Sequence, residues 1–495
     1  MRSPPTFPLV LTLVSAQFVV MLDSSILNVA LPSIATDLGL TPVGTAWVLN
    51  AYFLTFGGLL LVSGRAADVF GRRRMFLFGA GVLVAGSLLG GFATTDALLI
   101  AARLVQGAGA AMLSPAAMSV ILASFTGRER VRAMSGWGAA STVGGAAGVT
   151  IGGLLTAALG WQSVLFITGA VAAAIGVAGW ALLPAGKEAA QRSFDATGAA
   201  LITGAAVSVV FGVLSAPHSG LVSVEVIGAA AVAVGCLIGF GLVEKRAHDP
   251  ILPTNVLRDV RVGGGVAVNL LGGGARIACF VLVALLLQQV LEYGPALAGL
   301  AMLPTSLAGF AVSILVLPRA LNRLGPQRVA VIGLLLLVVA HLILATVENS
   351  DSYLLRVLPA LVIAATGVAF SFTPTTLVIA EGIAARNSGV SSGLASSTAQ
   401  IGGAIGIAVF GALDAARRAA VMEAGATALA AAEAGLQAAF LAAATAAAAA
   451  AVVAVLAFPT LRMTLTGRQG PVQAEDGAAT PETDPGSGIQ SRHAT

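Results

Sequence analysis

The chain has 495 residues, 57% of them hydrophobic and only 10% charged, with a mean hydropathy of +0.94. A water-soluble domain carries about 25% charged residues, so there is too little polar side chain here to cover a soluble particle, and a soluble enzyme is excluded. The net charge of +4 does not point to nucleic acid, because the arginines sit in short loops between apolar runs and form no continuous basic face.

A bilayer-spanning helix needs about 20 mostly apolar residues, and such runs recur from Phe7 to Phe458. The first follows Arg2 and continues past Met21 without a small-residue cleavage site, so it reads as a retained helix and not as a signal peptide. In chain order the predicted spans are 8–31, 45–63, 75–94, 98–122, 134–158, 162–183, 197–215, 223–243, 263–290, 296–317, 329–347, 354–376, 390–412 and 436–458. The stretch 412–435, with Arg417, Arg418, Glu423 and Glu433, reads as an outer loop long enough to hold a short helix. After Gly467 the composition shifts to Pro, Gly, Thr, Asp and Glu, which predicts a disordered tail. The predicted class is an all-α polytopic membrane protein of fourteen spans, surrounded by the lipid bilayer and not an enzyme.

Fourteen spans place both termini on one side, and the positive-inside rule makes that side cytoplasmic. The inner segments collect Arg2, the Arg65–Arg74 group, Arg128, Arg130, Arg132, Lys187, Arg192, Lys245, Arg246, Arg258, Arg261, Arg319, Arg323, Arg328 and Arg386, whereas the outer side holds Arg356, Arg417 and Arg418. Only Lys187 and Lys245 among 26 basic residues are lysine, and alanine is abundant; this reads as GC-rich coding and predicts a bacterial plasma (inner) membrane. Cys236 and Cys279 fall inside apolar runs without metal-ligand spacing and read as small buried hydrophobes. No Walker pattern, metal cluster or Ser/His/Asp constellation is present, so no cofactor or metal is expected.

The chain also repeats itself. GRAADVFGRRR (Gly64 to Arg74) and PRALNRLGPQR (Pro318 to Arg328) are offset by 254 residues, pairing Arg65 with Arg319, Gly71 with Gly325 and Arg74 with Arg328. The same offset pairs Gly148 with Gly402 and Gly152 with Gly406. The implied plan is a cytoplasmic N-terminus (1–7), a six-helix half (8–183), two inserted helices with their flanking loops (184–261), a second six-helix half (262–458) and a cytoplasmic tail (459–495). Repeats of this kind place a substrate site between the halves near the midplane.

Asp23 is the acidic residue that falls deep in a predicted span. A charge there costs about 2.5–3.5 kcal/mol on insertion scales, which makes a functional role the default over a static structural pair. Burial and a nearby cation act on its protonation in opposite directions, so the carboxylate is poised to take and release a proton. Arg103 is the natural partner. Asp23 lies about 14 residues from the inner end of its helix, or ~21 Å at 1.5 Å per residue. Arg103 lies about 5 residues from the outer end of its own helix, a similar depth in a ~30 Å core. Arg276 reaches a comparable depth in the second half, where an anionic substrate group or a polar helix partner would both satisfy it. His341, near the middle of its span, reads either as a proton carrier or as a packing residue.

Four stretches carry a family resemblance. LDSSILNVALPSI (Leu22 to Ile34), GRAADVFGRRR, RLVQGAGAAM (Arg103 to Met112) and GGAAGVTIGG (Gly144 to Gly153) resemble the first-helix, loop, fourth-helix and fifth-helix motifs of the major facilitator superfamily, in its fourteen-helix drug:proton antiporter family. EYGPALAGLAMLP (Glu292 to Pro304) extends the similarity into the second half. The chain departs from the family at Val149, where Gly-Pro is usual, and at Ala66 and Val69 of the loop motif.

The resemblance implies a major facilitator fold of two six-helix halves plus two inserted helices. It also implies proton-coupled efflux of small lipophilic or amphipathic compounds by alternating access. Asp23 and Arg103 would then serve proton coupling. Gly64, Asp68, Gly71, Arg72, Arg73 and Arg74 would form a gating loop that latches the halves and releases as they rock. On their own, Arg73 and Arg74 also fit plain positive-inside topology, and Asp68 is placed to cap a following helix start. Gly144, Gly148 and Gly152, with Gly153 beside them, form a small-residue packing face, expected at the interface between the halves. Asn28, Trp47, Asn50, Tyr52, Gln106, Arg276, Gln288 and Gln289 are the candidate cavity residues, since an apolar pore with few polar fixtures suits a lipophilic small molecule better than a sugar. Partners are therefore protons, lipid and a small organic substrate, with a monomer expected. The alternative on the same fold is an uptake symporter or facilitator: the missing Gly-Pro favours it, and the fourteen-helix plan favours export.

Overall fold

The computed structural model describes residues 6–184, 195–220, 223–246, 259–384 and 387–458. The predicted tail and Arg2, Lys187, Arg192, Arg258 and Arg386 lie outside the described residues. Among the described residues the regular structure is helical throughout: α1 (Thr6–Leu38), α2 (Pro42–Phe70), α3 (Arg72–Gly91), α4 (Asp96–Ser124), α5 (Gly127–Leu159), α6 (Gln162–Leu182), α7 (Ala196–Ser219), α8 (Val224–Glu244), α9 (Val260–Leu285), α10 (Pro295–Ala311), α11 (Leu317–Leu344), α12 (Leu358–Glu381), α13 (Ser388–Glu423) and α14 (Ala428–Ala457). Single π turns continue α9 over Leu286–Val290, join α10 to α11 over Val312–Val316, and lead into α12 over Tyr353–Val357.

Local chemistry sets several of these ends. The side chains of Thr41, Thr95, Ser223 and Thr427 accept from the backbone N–H three residues on, at Gly44, Leu98, Val226 and Ala430, and Asp259 accepts from Arg261 N–H. These are N-caps, which satisfy donors the helix leaves unpaired in its first turn. Two breaks share another cause. Gly71 separates α2 from α3 at φ 98°, and Gly325 interrupts α11 at φ 80°. Side-chain-bearing residues rarely adopt such angles. Because 71 and 325 are 254 apart, the repeat read from sequence places a chain reversal at the same point of each half.

Among the described residues, twelve segments are long and apolar enough to cross a bilayer. One of them, Leu297–Leu344, runs through the Gly325 break, and the 33-residue helix α5 is not among the twelve. A count of fourteen spans is compatible with this.

Helices α1 to α6 pack on one another, as do α9 to α14, while α7 and α8 form a hairpin seated against α2 and α13. Val207 and Val210 of α7 lie against Gly58 and Gly57 of α2. Helix α8 turns Ile227, Val232, Val234, Leu237, Ile238 and Leu242 outward, an apolar face suited to lipid. The two six-helix groups are joined toward the end that carries Gly71 and Gly325. One apolar core there unites Leu122, Phe125, Val131 and Met134 with Leu317, Leu321, Val329 and Leu377. Toward the other end the cores are separate: Leu22, Ile26, Ala30, Ile34, Val48 and Trp161 belong to the first group, and Leu282, Leu286, Leu344, Leu361, Leu436 and Phe440 to the second.

Two expectations are corrected. The outer loop predicted over 412–435 is mostly helix, since α13 continues to Glu423 and α14 begins at Ala428, leaving a turn at Gly425 with φ 84°. Alanine is the best helix former, so α13 continues past the apolar run that hydropathy detected, and Asp414 pairs with Arg418 at 3.1 Å on its last turns. The glycine face of α5 does not meet the other half. A Cβ at Gly144 would lie 2.6 Å from Phe18 O, at Gly148 2.8 Å from Leu22 O, and at Gly152 2.4 Å from Ile26 O. All three contacts are with α1, inside the same half. Gly153 is half-buried beside them.

Candidate functional site

The structure brings Asp23 and Arg103 together. Arg103 Nη1 donates to Asp23 Oδ1 and Oδ2, both at 3.3 Å, and neither side chain reaches solvent. The pair sits in a polar knot at the meeting of α1, α2, α3 and α4. Gln106 Nε2 donates to Asp23 Oδ1 at 3.2 Å and to Ser87 Oγ at 2.9 Å. Arg103 Nη1 also donates to Gln106 Oε1 at 2.8 Å, and its Nε to Val48 O at 3.2 Å. Breaking one partner out of such a pair leaves an uncompensated buried charge, costing about 3–5 kcal/mol. A protein that keeps this pair in an apolar bundle has a site whose charge state is coupled to its packing.

An aromatic stack leads away from the pair. The guanidinium carbon of Arg103 lies 4.4 Å from the centroid of the Tyr52 ring. That ring stacks on Phe56 at 5.6 Å and 19°, while Tyr52 OH donates to Val20 O at 3.1 Å. Phe56 is in turn a wall of a cavity between the two halves.

That cavity is lined by α1, α2, α4 and α5 on one side and α9, α12 and α13 on the other. Gln17, Trp137, Ser141, Arg276, Phe372 and Gln400 are its most distinctive residues. Its volume is about 170 Å³, comparable to the ~150 Å³ cavity that holds a benzene ring. A ring-sized group fits as it stands, and a larger compound requires the halves to part. Gln17 bridges the first half across this wall, donating to Ser141 Oγ at 2.9 Å and accepting from Ser114 Oγ at 2.8 Å.

Of the residues expected at the cavity, Arg276 lines it. Tyr52 and Gln106 belong instead to the buried knot around Asp23. Trp47 is half-buried and packs its ring against Phe211 of α7 at 6.3 Å; Asn50 is half-buried on α2. Gln288 and Gln289 are exposed on the π turn after α9, where Gln289 accepts from Arg418. The side chain of Asn28 lies outside the described residues. His341 is fully buried, with Nδ1 at 2.6 Å from Leu337 O and its ring beside Phe440, away from the cavity lining. Sequence reasoning missed Gln17, Trp137, Ser141, Phe372 and Gln400. A usable signal was present: Trp137 with Ser141, and Ser396 with Gln400, stand four apart and so share a helix face within apolar helices.

The loop motif between α2 and α3 reaches across the halves. Asp68, near the end of α2, accepts from the backbone N–H of Gly389 and of Val390, both at 2.9 Å. Those groups open α13, where unpaired N–H groups and the helix dipole favour a carboxylate. Asp68 therefore caps a helix of the opposite half, and not the start of α3, which has Gly71 at its N-cap and no side-chain cap. Arg72 pairs with Asp68 at 3.4 Å. Arg73 donates to Trp180 O at the end of α6, and Arg74 is exposed. The backbones approach closely here: a Cβ at Gly64 would lie 2.2 Å from Gly389 O, and one at Gly393 3.0 Å from Leu60 O. Ser388 and Ser392 of α13 donate to Ser119 O and Pro115 O of α4.

Comparison with known proteins agrees with this architecture. The chain is 36% identical over 384 residues to the puromycin resistance protein pur8 of Streptomyces alboniger, covering 77% of this chain and 76% of that one. It is 34% identical to the cephamycin export protein CmcT of Amycolatopsis lactamdurans, over 76% and 78% of the two chains. The solved structure of the proton:xylose symporter XylE superposes with a TM-score of 0.64 at 12% identity, covering 92% of this chain and 96% of that one; at that identity it speaks for the fold alone. Residues 13–407 match the Major Facilitator Superfamily, and the chain belongs to that superfamily of membrane transporters.

Proposed function

We propose that this protein exports small lipophilic or amphipathic compounds, antibiotics among them, by proton-coupled alternating access, as a fourteen-helix drug:proton antiporter. The observation that carries the reading is the solvent-free Asp23–Arg103 pair, linked through Tyr52 and Phe56 to a mostly apolar cavity between the halves. In this cycle a proton arriving at Asp23 weakens its hold on Arg103. The freed guanidinium repacks against Tyr52, and the cavity wall at Phe56 moves with it. The Asp68 cap on α13 holds one end of the bundle shut until that change releases it. The relatives named for antibiotic resistance and export support the same direction of transport.

The protein acts as a monomer in a bacterial plasma membrane, with both termini in the cytoplasm and its coupling loop at the inner face. The test is a drug-susceptibility panel of a strain lacking the protein against one expressing it, paired with proton flux in inverted vesicles. Export requires lower susceptibility to at least one compound and release of vesicle acidification when that compound is added. Accumulation of the compound in intact cells would replace this reading with uptake.

A further inference from the structure

We propose that Arg276 selects the cargo by charge, so that the central cavity takes small amphipathic compounds bearing a carboxylate-like anionic group in preference to lipophilic cations. This rests on the cavity being the transport site, and names the substrate class it would take.

Arg276 is 5% exposed and is the only charged residue lining the cavity among the described residues, with no Asp or Glu facing it. Its Nη2 donates to Asn269 Oδ1 at 3.0 Å, a neutral partner, and its Nη1 has no hydrogen-bond partner. Asn269 is itself held by donating to Ala395 O at 3.1 Å, so one prong of the guanidinium is anchored and the other is left over. The guanidinium carbon lies 5.7 Å from the ring of Phe372, another cavity wall. A Cβ at Gly272 would come 3.3 Å from Nη1 and 3.1 Å from Leu334 Cδ2, so at rest the unsatisfied prong lies beside residues that do not line the cavity, and glycine there leaves it room to swing toward a ligand.

The two halves differ in how they treat charge at this depth. In the first half Asp23 is matched by Arg103. Adding the 254-residue offset to Arg103 gives Val357, a buried apolar residue, so the second half has no equivalent pair. The only acid near this depth in the first half is already engaged by Arg103 and Gln106. Arginine stays protonated under all working conditions, and an unpaired cation in an apolar bundle is costly. A bound carboxylate, sulfonate or phosphate would supply the missing acceptor through a charge-assisted bond, which is stronger than a neutral one. A bound cation would meet the same charge with the same sign. The ring-sized apolar remainder of the cavity accommodates the rest of such a molecule.

The test compares 2-naphthoate with the (2-naphthyl)trimethylammonium cation, two probes with one ring system and opposite charges. Binding is measured by equilibrium dialysis on the purified full-length protein in phosphatidylcholine bilayers, without a proton gradient. The expected result is that naphthoate binds at least tenfold more tightly than the cation, that Arg276→Gln abolishes this preference, and that Arg276→Lys retains part of it. Arg276→Lys guards against a packing defect, since it keeps the charge and most of the volume. Equal affinity of the wild type for both probes, or naphthoate binding within twofold of wild type in Arg276→Gln, would overturn the proposal. Repeating the titration in phosphatidylglycerol bilayers separates a free organic acid from a lipid headgroup. Unchanged naphthoate affinity supports the former, and competition by the lipid would reassign the site. Because no gradient is present, a charge preference without any export in the susceptibility panel would count against the transport reading while leaving the anion preference of the cavity itself established.

Discussion

Asp68 and Gly389 stand 321 residues apart in the chain and are joined by a 2.9 Å hydrogen bond from the Gly389 N–H to the Asp68 carboxylate. The second carboxylate oxygen takes the N–H of Val390, so one side chain closes two helix-end donors of the opposite half. Hydrogen bonds to a charged group contribute about 1.5–3 kcal/mol, enough to shift a closed-to-open ratio by roughly tenfold or more at 1.4 kcal/mol per factor of ten. Asp68→Asn retains one acceptor oxygen and loses the charge. It is expected to lower transport at least tenfold while the protein still reaches the membrane in normal amount. Asp68→Glu, one methylene too long for the paired geometry, is expected to recover only part of the activity. Transport at wild-type rate in Asp68→Asn would remove the latch from the cycle.

Gly64 tests the same seam by a different route. A methyl there would lie 2.2 Å from Gly389 O and 2.9 Å from Gly393 Cα, contacts that neither backbone can absorb. Gly64→Ala is therefore expected to hold α2 and α13 apart and to keep this end of the bundle open. Ser392 gives the readout, because its hydroxyl is buried against Pro115 O in the closed seam. In a background with Cys236 and Cys279 replaced by alanine, a Ser392→Cys reporter is expected to react several-fold faster with an impermeant maleimide when Gly64→Ala is also present. No change in labelling rate would count against the contact as a closure point.

Much of this architecture was legible in the sequence, for physical reasons. The long apolar runs announced a helical membrane bundle, and the paired breaks at Gly71 and Gly325 stand at the 254-residue offset read from the sequence. The Asp23–Arg103 pair was legible too, because a charge inside an apolar run must find a partner and depth arithmetic leaves few candidates. The cavity was not. Lipid and protein interior are equally apolar, so hydropathy does not say which face of a membrane helix turns inward. Gln106 and Trp137 look alike in a run of apolar residues, yet one is tied to Asp23 and the other lines the cavity. The glycine face of α5 was read correctly as close packing and assigned to the wrong neighbour, because small-residue spacing identifies a tight contact without identifying the partner helix.

The repeat makes a matched prediction about that packing. Gly148 lies against α1, where a Cβ would come 2.8 Å from Leu22 O, and its counterpart Gly402 lies against α9, 2.3 Å from Leu270 O. Overpacking a tight contact costs about 1–3 kcal/mol. Gly148→Val and Gly402→Val are each expected to lower thermal stability of the purified protein by several degrees, with losses of similar size in the two halves. The double variant is expected to show their sum, since the sites sit in different helix pairs and distant sites add. A stable Gly402→Val beside a destabilised Gly148→Val would show that the two contacts are not structural equivalents.

Asp23 carries the strongest prediction. Asp23→Asn keeps the size and the hydrogen bond with Gln106 but removes the charge that holds Arg103, leaving a buried cation uncompensated at a cost of about 3–5 kcal/mol. Export driven by a proton gradient is expected to fall at least a hundredfold, while substrate exchange without a gradient, which needs no proton exchange, is expected to fall much less. Arg103→Gln with Asp23→Asn removes both charges together. If the pair is a coupling unit, the double variant is expected to regain stability relative to Asp23→Asn and still to show no response to the gradient. Measuring efflux and counterflow side by side in proteoliposomes separates the two roles. Full recovery of gradient-driven export in the double variant would mean that the pair holds the bundle together and the proton passes elsewhere.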